Sequence, residues 1–162
     1  MAAFLAAENL AGHLISNHNF VTPWDFTDPN TTHVCLQESD AAKIPGLMER
    51  YHKPVVYDEM GYEGNIPDSW GNLSAFEMVN RFWKTVTMGG YATHGETYME
   101  RMDPDQVLWW SKGGRLKGES SARIAFLRNL LEELPGDMVW SEPEGLPKSR
   151  EELQKLIDAG TP

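Results

Sequence analysis

Cysteine is almost missing from this chain. Cys35 is its single one, which excludes an intrachain disulfide framework and any zinc or iron–sulfur centre built on several thiolates. It fixes no compartment. Basic residues are scarce too: 14 Lys and Arg stand against 24 Asp and Glu, a formal charge of −10, and the pI is near 4.9. Such a balance lacks the basic face that nucleic acid or an anionic membrane surface requires. Apolar runs are only a few residues long, too short to span a bilayer. The N-terminal stretch MAAFLAAENLAGH has neither the basic flank nor the uninterrupted apolar core of a signal peptide. The expectation is therefore a cytoplasmic protein without nucleic-acid or membrane partners. No G-x-x-x-x-G-K-[ST] or G-x-G-x-x-G loop occurs, so Gly89-Gly90 and Gly113-Gly114 cradle no phosphate. No G-x-S-x-G elbow occurs either, which removes the ordinary serine hydrolase.

What remains is an ordinary globular composition, 41% apolar and 23% charged over 162 residues, with a surplus of six tryptophans and five tyrosines. That length suits one domain with a real core, or a piece of a larger one. Short β-rich runs alternate with helical patterns. Residues 2–10 read as a helix and 13–16 as a strand ending in a polar tip at 17–19. Residues 20–31 are loop, 32–37 a strand, and Asp40 caps a helix to about Tyr51 that Pro45 and Gly46 threaten to interrupt. Residues 54–59 are a strand and 60–73 a glycine-rich loop. Ser74 and Glu77 form a capping box for a helix with Phe76, Val79, Phe82, Trp83 and Val86 at helical spacing, stopped by Gly89-Gly90. Residues 91–94 are a fourth strand. Residues 121–134 form a helix with Ile124, Leu127, Leu130, Leu131 and Leu134 on one face. Beyond Pro135 a Pro/Glu-rich tail, 136–162, carries a second capping box (Ser149, Glu152) and a short helix. Four strands separated by loops or helices predict an α/β fold of parallel strands with crossover helices.

Chemistry in parallel α/β folds gathers at the C-terminal ends of the strands. Those ends here read His18 and Asn19, then Gln37 and Glu38, then Asp58 and Glu59, then His94 and Glu96, with Trp24, Tyr62, Trp70, Tyr98, Trp109 and Trp110 nearby. Together they predict a pocket. Glu59 is the sharpest candidate, because it closes an apolar strand and precedes the glycine-containing Met60-Gly61-Tyr62-Glu63-Gly64. A carboxylate held there serves as nucleophile or base; the plain alternative is a salt bridge with a lysine or arginine. Strand alternation points Asp58 to the opposite side unless a bulge intervenes. His94 and Glu96, two apart, have the spacing to share a metal, but neither H-E-x-x-H nor a C-x-x-C partner accompanies them, and no metal site is expected. Trp109-Trp110, in an irregular segment, suit stacking on a sugar ring; equally, one of them packs into the interior.

Three stretches, KPVVYDEMGYEGNIPDSWGNLSAFEMVNRFW (53–83), GGYATHGETY (89–98) and LWWSKGGRLKGES (108–120), resemble the C-terminal half of bacterial glycoside-hydrolase-like TIM barrels of the cellulase or apiosidase-like kind. GHLISNHN (12–19) is similar to the fifth-strand segment of the same group. The resemblance spans roughly residues 1–135. It implies strands five to eight of a (β/α)8 barrel, with Glu59 as the catalytic nucleophile and His18, Asn19, Glu63, His94, Glu96, Trp109 and Trp110 as substrate-binding residues. A whole barrel of this type needs about 250 residues, so the resemblance implies a half-barrel without the general acid/base that would end strand four.

Three functions compete on these residues. One is a retaining glycoside hydrolase acting on a carbohydrate with no metal or organic cofactor, incomplete in this chain. The second is a non-catalytic carbohydrate-binding or assembly module. The third, a flavodoxin-like protein, fits the length but not the carboxylate-rich strand ends. A half-barrel has two open sheet edges, which predicts either a homodimer or pairing with a missing N-terminal half.

Overall fold

The computed structural model describes residues 2–9, 11–20, 24–99, 116–134, 151, 154–155 and 158–159. Four short strands, β1 (His18–Asn19), β2 (Val34–Leu36), β3 (Val55–Tyr57) and β5 (Tyr91–Ala92), form one sheet in the order β1-β2-β3-β5. Every pairing in it is parallel: His18 lies beside Cys35, Cys35 beside Val56, and Val56 beside Tyr91. The expected parallel α/β arrangement is therefore present. All three residues of β2 are buried, as befits a strand covered on both faces. Val34, Val55 and Tyr57 are wholly enclosed and meet Ile44, Met78, Phe82 and Leu127 in a single core.

The helices follow from local chemistry. A 3-10 turn, Ala41–Lys43, starts where the Asp40 carboxylate accepts the Ala42 N–H at 3.1 Å, and α2 (Ile44–Tyr51) continues it. Pro45 does not interrupt α2 because it lies in the first turn, where its missing N–H has no partner to lose. The capping box of α3 (Ala75–Thr87) forms as read, with Glu77 N–H donating to Ser74 Oγ at 3.2 Å and Ser74 N–H to the Glu77 carboxylate at 3.1 Å. Its buried face is Met78, Phe82 and Thr85. Phe76 is 71% exposed, because six residues at about 100° each turn it about 120° from Phe82. In α4 (Ser120–Glu133) Leu127 is buried while Ile124 and Leu131 pack on the core. Leu134 falls beyond the helix in extended backbone and is exposed. The N-terminal helix α1 (Ala2–Glu8) buries nothing.

Two expectations shift. The first strand is not at 13–16 but at His18–Asn19. The earlier stretch is tied to its neighbour by one backbone bond, Thr32 N–H to the Ile15 carbonyl at 2.7 Å, and by side chains, Ile15 N–H to Thr32 Oγ1 at 2.9 Å and Ser16 Oγ to the His33 carbonyl at 2.5 Å, and Leu14 stays exposed. The second concerns residues 60–73, which are more than loop. They contain β4 (Glu63–Gly64), paired parallel with β6 (Glu96–Thr97) so that Glu63 lies beside Glu96. Gly64 makes this approach possible, since a Cβ there would stand 1.9 Å from the Thr97 carbonyl oxygen. An apolar cleft of about 850 Å³ opens between α3, β5 and α4, lined by Phe82, Val86, Tyr91, Ile124, Leu127 and Leu131. No described helix is long and apolar enough to cross a membrane. Most of the tail, 136–162, lies outside the described residues.

Candidate functional site

The parallel ladder carries β1, β2 and β3 to one edge, and the groups leaving that edge meet. His18 sits on β1 level with Cys35 on β2. Its Nδ1 is 2.6 Å from Asp58 Oδ2, and its Nε2 is 3.9 Å from Glu59 Oε2. Cys35 Sγ donates to the same Asp58 oxygen at 2.9 Å. Asp58 and Glu59 thus flank one imidazole rather than opposite sides of the sheet. The strand ends at Tyr57, so alternation stops there. Asp58 N–H still donates to the Leu36 carbonyl at 3.2 Å, and its own carbonyl accepts from Thr93 Oγ1 at 2.5 Å. The backbone of Asp58 is clamped from both neighbouring strands.

Charge in the cluster is organised around the two carboxylates. The Asp58 hydrogen bond raises the His18 pKa above 6.5, against partial desolvation and with help from the Asp58 and Glu59 charges. The imidazole is thereby held toward its cationic form beside Glu59. Burial, then the Asp58 carboxylate, push the Cys35 thiol up to about 12, so it stays protonated and is a donor rather than a nucleophile. Burial also raises the Tyr62 phenol, and a hydrogen bond to Glu59 adds to the shift. Glu59 therefore has the His18 imidazole 3.9 Å away on one side and a phenol on another.

A cleft of about 320 Å³ opens beside Glu59, lined also by Glu38, Ser39, Gly61, Trp70 and Arg81. Trp70 is 43% exposed and is set by an edge contact with Tyr62 at 5.7 Å and 79°. Arg81 donates to the Met60 carbonyl and so pins the turn after Glu59. Burial pushes the Glu38 carboxyl up, but the bond from Lys43 and the N–H groups of Ser39 and Asp40 outweigh it and hold Glu38 below its ordinary range. The larger cleft by α4 is mainly apolar, with His94, Arg128 and Glu132 as its ionisable lining.

A second cluster lies where β4 and β6 meet the start of α4. Glu63 is 4% exposed and accepts the N–H groups of Glu119 at 2.8 Å and Ser120 at 3.1 Å, together with the Ser120 hydroxyl. Glu96 is 3% exposed and its Oε2 accepts the N–H groups of Lys117 at 2.6 Å and Gly118 at 3.1 Å. His94 Nε2 is 3.1 Å from Ser120 Oγ. Of the expected site residues, then, His18 and Glu59 stand together, Glu63, His94 and Glu96 form this other group, and Asn19 is buried on β1. Trp109 and Trp110 lie outside the described residues. Glu38, one of the strand-end groups expected to line a pocket, does so, while Cys35 and Arg81 were missed, and only strand register and the turn after β3 bring them in. Asp58 had a signal, adjacency to Glu59, which strict alternation overrode. Two sets of ligand atoms, His18/Cys35/Asp58 and Glu63/His94/Glu96, each fall within 4.8 Å of one another.

No family model and no curated protein matches the chain. Among solved structures, a putative glycoside hydrolase from Bacteroides vulgatus ATCC 8482 is similar at 37% identity and a TM-score of 0.74, over 83% of this chain. The chain spans 27% of the length of that protein. At that identity and coverage, the four-stranded α/β unit has a glycoside-hydrolase-like fold.

Proposed function

We propose that this chain carries the nucleophile half of a retaining glycoside hydrolase, with Glu59 as nucleophile and its four parallel strands as strands five to eight of a (β/α)8 barrel. The likeness to the Bacteroides vulgatus protein over 83% of the chain carries the reading. The position of Glu59, just past an apolar parallel strand and beside His18 and Tyr62, supports it. In the reaction Glu59 attacks the anomeric carbon of a carbohydrate and forms a covalent glycosyl-enzyme. A second carboxyl group, about 5–5.5 Å away, protonates the leaving oxygen and then activates water. Glu38 lines the same cleft as Glu59, but its pKa is held low, the wrong direction for a general acid. Asp58 is engaged by His18 and Cys35. Neither of these described carboxyl groups fits the role, and we assign the acid/base to the other half of the barrel, as the resemblance implies.

His18 offers Nε2 to a sugar hydroxyl; Trp70, and in this reading Trp109 and Trp110, present rings for the apolar faces of sugars. Glu63 and Glu96 enter only through the helix they hold. A mechanism-based fluoro-glycoside, applied to a protein that joins this chain to its barrel partner, should label the peptide containing Glu59. Labelling at Glu38, Glu63 or Glu96 refutes the assignment. Glycan binding with neither labelling nor turnover favours the non-catalytic module instead.

A further inference from the structure

We propose that Glu63, His94 and Glu96 form a binding site for a divalent metal ion of the zinc type, built where the β4–β6 pair meets the start of α4. The two carboxylates come from paired positions of neighbouring parallel strands, and both are almost fully buried. Two like charges enclosed side by side are unfavourable unless something positive joins them. Backbone N–H groups at the start of α4 answer part of this, binding both oxygens of Glu63 and Oε2 of Glu96. Glu96 Oε1 is left over. It is buried and has no hydrogen-bond partner among the described residues, and it faces His94 Nε2 at 3.7 Å. That gap is too long for a hydrogen bond. It is close to the ~3.4 Å that separates two ligands each ~2.1 Å from a tetrahedral ion.

Each of the three residues offers a ligand atom, all within 4.8 Å of one another. Two carboxylates and one imidazole, with room for a further ligand, suit Zn²⁺ better than Ca²⁺ or Mg²⁺, which prefer six or more oxygens. The N–H bonds from residues 117–120 would then serve as the outer shell that orients the carboxylates. Gly118 allows the backbone this close: a Cβ there would lie 2.3 Å from Glu63 Oε2. The H-x-E spacing of 94–96 is common in sequences, and the strand pairing adds the third ligand from 31 positions upstream of His94.

The test uses the full 162-residue chain, stripped with a chelator and titrated with Zn²⁺ by calorimetry, with bound metal counted by mass spectrometry after gel filtration. One equivalent is expected. His94→Ala, which leaves the bonds from Glu63 and Glu96 to the backbone untouched, should weaken binding by at least ~10–100-fold, the loss that outer-shell changes alone produce. Cys35→Ser should leave it unchanged. The Co²⁺ derivative of the unmutated chain should show d–d bands without a thiolate charge-transfer band, which needs no variant to fold. Failure to bind at micromolar Zn²⁺ overturns the proposal and leaves the carboxylates as a helix clamp only. Undiminished affinity in His94→Ala, or a thiolate band pointing to Cys35, overturns it as well.

Discussion

Removal of the Glu63 carboxylate should detach α4 from the rest of the fold. Glu119 is exposed, so its N–H can turn to water when Glu63 is lost. Ser120 is fully buried, and both its N–H and its hydroxyl end on Glu63. Glu63→Ala leaves the buried Ser120 N–H unsatisfied and its hydroxyl with only His94 Nε2 at 3.1 Å, a cost of ~1–3 kcal/mol for the N–H and up to as much again for the hydroxyl. A domain has only ~5–15 kcal/mol in total. Glu63→Gln keeps one oxygen as acceptor and turns a donor against the other, so its cost should be smaller, ~1–3 kcal/mol. The same carboxylate makes the effect pH-dependent. Burial pushes its pKa up, but the Ser120 hydroxyl and the two N–H groups pull it below the ordinary 4.5. A group depressed in the folded state stabilises above its unfolded pKa and loses that contribution as pH falls through the folded one. The gap between wild type and Glu63→Gln should therefore be full at neutral pH and close below about pH 4. Urea denaturation of chelator-treated protein across pH measures the gap, and amide exchange along 120–133 localises it. If Glu63→Ala costs less than about 0.5 kcal/mol, within the range of an ordinary surface substitution, the clamp reasoning fails.

Gly64→Ala should disrupt the β4–β6 pair, because its Cβ would meet the Thr97 and Gly71 carbonyl oxygens at 1.9 and 2.5 Å; a cost of about 1–3 kcal/mol or more is expected, and wild-type stability in melts would refute it. Leu127→Ala, in the buried stripe of α4, should cost ~2–5 kcal/mol by denaturant titration. His18→Gln should destabilise most below about pH 6.5, where the raised imidazole is charged in both states, and progressively less as pH rises through its folded pKa. With His18 47% exposed, salt should shrink that difference, and a pH-independent difference would remove the His18–Asp58 pair as its cause. The half-barrel reading predicts association through the apolar cleft beside β5, followed by light scattering on dilution, and a cooperative monomer at low concentration would count against it.

Local chemistry was legible before any tertiary contact. The Ser74/Glu77 box, the Asp40 cap, the apolar cores of β2 and β3 and, apart from Leu134, the apolar stripe of α4 depend on neighbours within a few residues, and each formed where the pattern put it. Glu59, expected to close its strand, instead falls two residues past the end of β3 at Tyr57. Three things needed the folded chain. Strand register decided that His18, not residues 13–16, occupies β1 and lies level with Cys35. The end of the ladder at Tyr57 decided that Asp58 turns toward the same imidazole as Glu59, where alternation alone had sent it away. The pairing of β4 with β6, within a stretch that reads as loop, decided that Glu63 and Glu96 become buried partners of a helix more than 20 residues further on. Two-residue strands carry too little periodicity to announce themselves. Their partners are set by backbone hydrogen bonds and by the space beside Gly64, neither of which one residue's neighbours in sequence can encode.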